Sequence, residues 1–100
     1  MTILHFYRIL IMSFLSNVIL MCGIYLERHD ADSNIHRFYA LTISPGIFSD
    51  WSLVREWGRV GSPGTVRSNW YESEEEAIKA QNDILRTKQR RGYTLAAITC

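Results

Sequence analysis

The sequence has almost no excess charge of either sign. Its 100 residues carry 11 Lys and Arg against 10 Asp and Glu, a formal net charge of +1. There is no global basic field, so nucleic-acid binding would have to come from a local patch. Cysteine is scarce, with Cys22 and Cys100 the only two. No C-x-x-C pair seeds a zinc site, and two cysteines make no disulfide framework. Two unpaired thiols in a reducing, cytoplasmic setting are therefore expected. Catalytic constellations are missing as well. No G-x-S-x-G, H-E-x-x-H, Walker loop or usefully spaced Cys/His pair occurs, so neither an enzyme nor a cofactor is expected. Gly58, Gly61 and Gly64 are regularly spaced, but they join a strand to a strand rather than to a dinucleotide-binding helix. His29, Asp30, Asp32 and His36 fit no compact ligand motif and read as a polar turn, so no metal is expected.

Long apolar runs are absent after residue 22. Before it, Ile9 to Cys22 is almost wholly apolar, broken by Ser13, Ser16 and Asn17. The run is short of the roughly 20 residues a membrane helix needs. It also lacks a small-x-small cleavage site, and Met21 before Cys22 does not suit a lipoprotein signal. Residues 1–22 are therefore read as an extension from an upstream start codon. A weak anchor and a signal-like segment compete with that reading, and a membrane partner is not expected. The remaining 23–98 make one small domain with one core.

Periodicity over 23–98 predicts an α+β fold. Strands are expected over Gly23–Arg28, His36–Ser44, Trp51–Val60 and Thr65–Tyr71, with a short closing strand over 93–98. The turns between them are His29 to Asn34, Ser44-Pro45-Gly46 and Gly61-Ser62-Pro63-Gly64. Ser73 with Glu76 forms a capping box, and Glu74 and Glu75 suit the positive end of a helix dipole. Ala77, Ile78, Ala80, Ile84 and Leu85 give the helix an apolar stripe. Lys88, Arg90 and Arg91 suit its last turn, and Gly92 its end. The architecture expected is a small antiparallel sheet of four to five strands with one helix on one face.

The stretch from Trp51 to Gly61 is the most distinctive. Strand alternation puts Arg55, Trp57 and Arg59 on one side, but Leu53 falls on that side too. Either that face is partly apolar, or a bulge near Gly58 changes the phase. A partly exposed Trp57 flanked by guanidinium groups could stack on a base or sugar while the arginines hold phosphates. A structural sandwich of arginines on an indole fits the geometry equally well. Trp51 and Trp70 are expected in or near the core.

From about Ile24 to Leu95 the chain resembles the WGR domain, named for its Trp-Gly-Arg signature. Asn34 with Arg37-Phe38-Tyr39 resembles the family's second-strand motif. Arg55-Glu56-Trp57-Gly58-Arg59-Val60-Gly61 resembles the signature with its flanks. Gly64, Glu75-Glu76-Ala77, Lys88 and Gly92-Tyr93 follow in the family's order. The resemblance implies a sheet-and-helix fold. It also implies a domain known from DNA-break-responsive poly(ADP-ribose) polymerases, where the signature Trp packs on a terminal nucleotide. With no room for a polymerase domain, the chain looks like a stand-alone, bacterial-type member. That leaves the coupling of the signature Arg to neighbouring domains without a counterpart here.

The function expected is a non-enzymatic nucleic-acid-binding module, for DNA and its duplex ends. Trp57, Arg59, Arg55 and Arg67 are the leading contacts, and Arg37, Asn34 and Tyr93 the lesser ones. Between residues 34 and 71, Arg37, Arg55, Arg59 and Arg67 stand against Asp50 and Glu56, a local cationic excess suited to backbone binding. The alternative is a protein-docking module using the same Trp/Arg face, since these residue types also anchor protein interfaces.

Overall fold

A computed structural model describes residues 22–99. They form five strands and a helix: β1 (Cys22–Asp30), β2 (Ile35–Pro45), β3 (Trp51–Arg59), β4 (Thr65–Tyr71), α1 (Glu74–Arg90) and β5 (Thr94–Thr99). The strands make one antiparallel sheet in the order β4-β3-β2-β1-β5. The expected α+β architecture is therefore the observed one. The segment 1–21, with its readings as an extension, anchor or signal, lies outside the described residues.

Turn chemistry sets the strand ends. The first hairpin is tighter than the polar run 29–34 suggested, because pairing continues to Asp30 and Ile35. Asn34 takes the left-handed conformation (φ 54°), and its N–H donates to the Ala31 carbonyl at 3.2 Å. Asparagine is among the few residues that tolerate that region. At the β3–β4 turn the chain passes close to itself. A Cβ on Gly64 would lie 2.6 Å from the Trp57 carbonyl oxygen and 2.8 Å from the Phe38 ring, so only glycine fits.

The helix begins at Ser73 as predicted, with one arm of the capping box formed and the other displaced by one residue to Glu72. Glu76 N–H donates to the Ser73 hydroxyl at 3.2 Å, while the Glu76 carboxylate reaches back to the Glu72 N–H, also at 3.2 Å. It ends at Gly92, whose positive φ of 95° ordinary residues avoid. Ala77 is fully buried against Leu26, Leu41, Ile43 and Leu53, and Ala80, Ile84 and Leu85 pack around them. Ile78 is more exposed than the stripe suggested, since it sits at the stripe's edge. Its place is taken by a polar residue, Gln81, buried under the helix. The Gln81 amide donates to the Leu41 carbonyl at 3.2 Å and the Cys22 carbonyl at 3.4 Å, tying α1 to two strands.

Two expectations are corrected. Trp70 is 61% exposed, because β4 is an edge strand and its side chain lies on the face away from α1. Cys22 is disulfide-bonded rather than a free thiol. The sheet register explains why distance along the chain misled: Gly23 stands opposite Thr99, so the two ends of the domain are neighbours. The chain's other cysteine, at 100, falls outside the described residues. Among those residues no helix is long and apolar enough to cross a membrane.

Candidate nucleic-acid interface

Register turns the scattered arginines into rows. Residues directly opposite in an antiparallel sheet share a face. Arg28 of β1, Arg37 of β2 and Arg59 of β3 are cross-strand partners in one row. The next row holds Leu26, Tyr39, Trp57 and Thr65, and the one after it Ile24, Leu41, Arg55 and Arg67. β3 pairs in continuous register from Trp51 to Arg59, so no bulge shifts the phase at Gly58. The arginine face is the helix-covered, partly apolar face, and Leu53 lies on it as a core residue.

Trp57 is half-buried and packs against the apolar core. Its ring stacks on Tyr39, with centroids 5.6 Å apart and planes 12° from parallel. Tyr93 meets Tyr39 edge-on, with centroids 6.2 Å apart. This aromatic array holds the indole in place. The Arg55 guanidinium lies 5.8 Å from the Trp57 ring, so one half of the sandwich exists. Arg59 instead reaches out to the first hairpin, where its Nη1 donates to the Asn34 carbonyl at 3.4 Å.

Ser33, Asn34, Ile35, His36, Arg37, Trp57, Gly58, Arg59 and Tyr93 line a cavity of about 530 Å³. It brings together Trp57, Arg59, Arg37, Asn34 and Tyr93 from the expected set. Arg55 and Arg67 are outside it, one row further along the sheet. Among the described residues no carboxylate lines the cavity, and Arg37 and Arg59 are exposed at it. Gly58 also lines it, and the β3–β4 turn packs close there: a Cβ on Gly58 would meet the Gly64 backbone at 3.1 Å.

The hairpin histidines bond each other and a carboxylate. His29 and His36 meet through their Nδ1 atoms at 2.8 Å, one donating to the other. His29 Nε2 also bonds Glu27 at 2.8 Å, and Glu27 accepts from the Tyr25 hydroxyl at 2.9 Å. Asp30 accepts from the Ser33 N–H instead. Among the described residues no group of three or more His, Cys, Asp or Glu is disposed to hold a metal.

Two residues were undervalued in the sequence. Arg28 completes the arginine row, a matter of register that a single strand does not reveal. Lys88 is more than a helix-end cation: its Nζ lies 4.4 Å over the Tyr39 ring and 5.8 Å from that of Tyr93. Burial, followed by the Arg91 and Arg55 charges, pushes its pKa below the ordinary lysine value. The spacing of Lys88 and Tyr93 in the exit motif was the one available signal.

Residues 23–98 match the family model of the WGR domain, so the chain belongs to the WGR family. Over 70 residues it is 41% identical to the uncharacterized protein y4dW of Sinorhizobium fredii. That match covers 70% of this chain but 34% of the relative, so the chain spans about a third of that protein's length. WGR domains in general are binding modules associated with nucleic acids.

Proposed function

We propose that this WGR domain binds DNA without acting on it, holding a terminal nucleotide at the cavity beside Trp57. The observation that carries the reading is the cavity itself, which groups Arg37, Arg59, Asn34, Tyr93 and the indole with no carboxylate among its described lining residues. Arg37 and Arg59 hold the terminal phosphate, with the Asn34 turn and the Tyr93 phenol as further polar contacts. The exposed part of the Trp57 ring takes the sugar or base, supported from behind by Tyr39. Arg55 and Arg67 extend the cationic face along the backbone that follows.

Such a site reads charge and stacking rather than sequence. Binding is therefore expected to weaken steeply with salt and to vary little with base composition. A cytoplasmic location, where DNA is at hand, suits the reading. The Cys22 disulfide would be unusual there.

An anisotropy titration tests the proposal with two duplexes of one stem sequence. One has free 5′-phosphorylated ends, and the other has both ends closed by loops. Preference for free ends is expected. Equal binding would remove end recognition. No binding to either at low salt would overturn the nucleic-acid reading and leave the Trp/Arg face to a protein partner.

A further inference from the structure

On the other side of Trp57 from the cavity, α1 and β3 leave a cleft of about 270 Å³. It is lined by Tyr39, Arg55, Asp83, Ile84, Thr87 and Lys88. Two cations enter it from different elements, Arg55 from the sheet and Lys88 from the helix. Arg67, outside the lining, stands directly opposite Arg55 on β4. The one acidic lining residue, Asp83, is already paired with Arg86. Among the described residues no ion pair engages Arg55 or Lys88.

The Arg55 Nε is buried and has no hydrogen-bond partner. A buried unpaired N–H on a charged group is costly, by an amount on the order of 1–3 kcal/mol or more. Folded proteins rarely leave one without a reason. Lys88 carries the same strain in another form: burial and the nearby Arg91 and Arg55 disfavour its charged state. Both conditions are relieved by a single event, the arrival of an anion between them.

We infer that this cleft is a second anion site, in which Arg55 and Lys88 take a backbone phosphate internal to the nucleic-acid end held at the first cavity. The inference rests on the nucleic-acid reading above, and it adds a requirement: the ligand is a chain with at least two phosphates. Trp57 then stands between the two sites, with its ring against the nucleotide that joins them. The α1 C-terminus does not favour an anion by its dipole. Its carbonyls are, however, already engaged: Thr87 and Lys88 accept from Arg91, Gln89 from Gly92, and Lys88 again from Tyr93. The side-chain cations therefore set the field in the cleft.

The experiment compares parent, Lys88→Gln and Lys88→Arg, each first shown to melt cooperatively. Binding to the open-ended duplex is followed against salt. Each lost phosphate contact lowers the slope of log K on log salt by about 0.9. Lys88→Gln is expected to lose about one such unit and to bind on the order of tenfold more weakly in low salt, while Lys88→Arg keeps the parental slope. A Lys88→Gln slope equal to the parent's would overturn the inference while leaving the first cavity intact. A second arm uses inorganic phosphate alone and follows the Lys88 side chain by NMR. Phosphate is expected to move the Lys88 resonances and to raise the pH at which it titrates. If the parent binds no duplex yet phosphate moves Lys88, the nucleic-acid reading falls and the anion site stands. If phosphate leaves Lys88 unmoved, the anion site falls.

Discussion

Arg37 and Arg59 stand directly opposite each other on β2 and β3, two cations at a position where a sheet ordinarily pairs unlike charges or apolar side chains. Arg55 and Arg67 repeat the arrangement on β3 and β4. Like charges facing each other across strands destabilise a fold by roughly 0.2–1 kcal/mol per pair. Arg37→Gln is therefore expected to raise stability by a few tenths of a kcal/mol, read as a higher urea midpoint with unchanged slope. The same variant is expected to bind duplex DNA several-fold more weakly. A stability loss together with unchanged binding would mean that Arg37 serves the fold instead.

The stacked pair of Trp57 and Tyr39 separates two roles of the indole. Stacking on a nucleotide is worth about 1–3 kcal/mol, so Trp57→Ala is expected to weaken DNA binding by roughly 5- to 150-fold. Because Trp57 also packs on the core, that variant should be less stable as well. Trp57→Phe keeps a ring on Tyr39 and is expected to melt near the parent while recovering most of the affinity. If Trp57→Phe is stable yet binds no better than Trp57→Ala, the indole's part is something other than stacking.

Gly64 offers a test of how the site is shaped. A methyl group there would press on the Trp57 carbonyl and the Phe38 ring at distances no packed Cβ adopts. Overpacking of this kind costs about 1–3 kcal/mol. For a domain of this size, each kcal/mol lowers Tm by roughly 4–8 °C. Gly64→Ala should therefore melt several degrees lower in calorimetry. It should also disturb Trp57 fluorescence, because the clash falls on the backbone that carries the indole. A Tm within one degree of the parent's would show that the hairpin yields without strain.

Local signals in the sequence resolved well. The capping box at Ser73 and Glu76, the glycine stop at Gly92 and the β4 limits at Thr65 and Tyr71 all depend on neighbours a few residues apart. Five of the cavity's lining residues, Asn34, Arg37, Trp57, Arg59 and Tyr93, were also legible, because the signature residues and their partners keep recognisable chain order. What stayed hidden depends on pairing between distant strands. Arg28 joins the arginine row only through its register with Arg37. Trp70 looks like a core residue until β4 is known to be an edge. Cys22 seems isolated until β5 is laid beside β1. Gln81 looks like a solvent-facing residue on the helix, and only the bare Leu41 and Cys22 carbonyls beneath it explain its burial.

The Tyr25 phenol carries a pH dependence whose sign can be worked out. Burial, then the hydrogen bond to Glu27 and the charge of that carboxylate, raise its pKa far above the ordinary 10.0. In the unfolded chain the phenol ionises around that ordinary value, whereas in the fold it remains protonated. The unfolded state therefore loses a proton first as the pH rises, and stability falls with pH from about 10 upward. Below that range both states hold the proton, and Tyr25 gives no pH dependence. Urea midpoints measured from pH 8 to pH 11 should thus decline at the alkaline end for the parent. Tyr25→Phe should flatten that decline while costing about 1 kcal/mol at neutral pH for the lost hydrogen bond. In parallel, the ultraviolet phenolate signal of the folded parent should match that of folded Tyr25→Phe up to the onset of unfolding. A difference between them near pH 10 would mean that the Tyr25 phenol ionises in the fold, and that the Glu27 contact does not hold its proton.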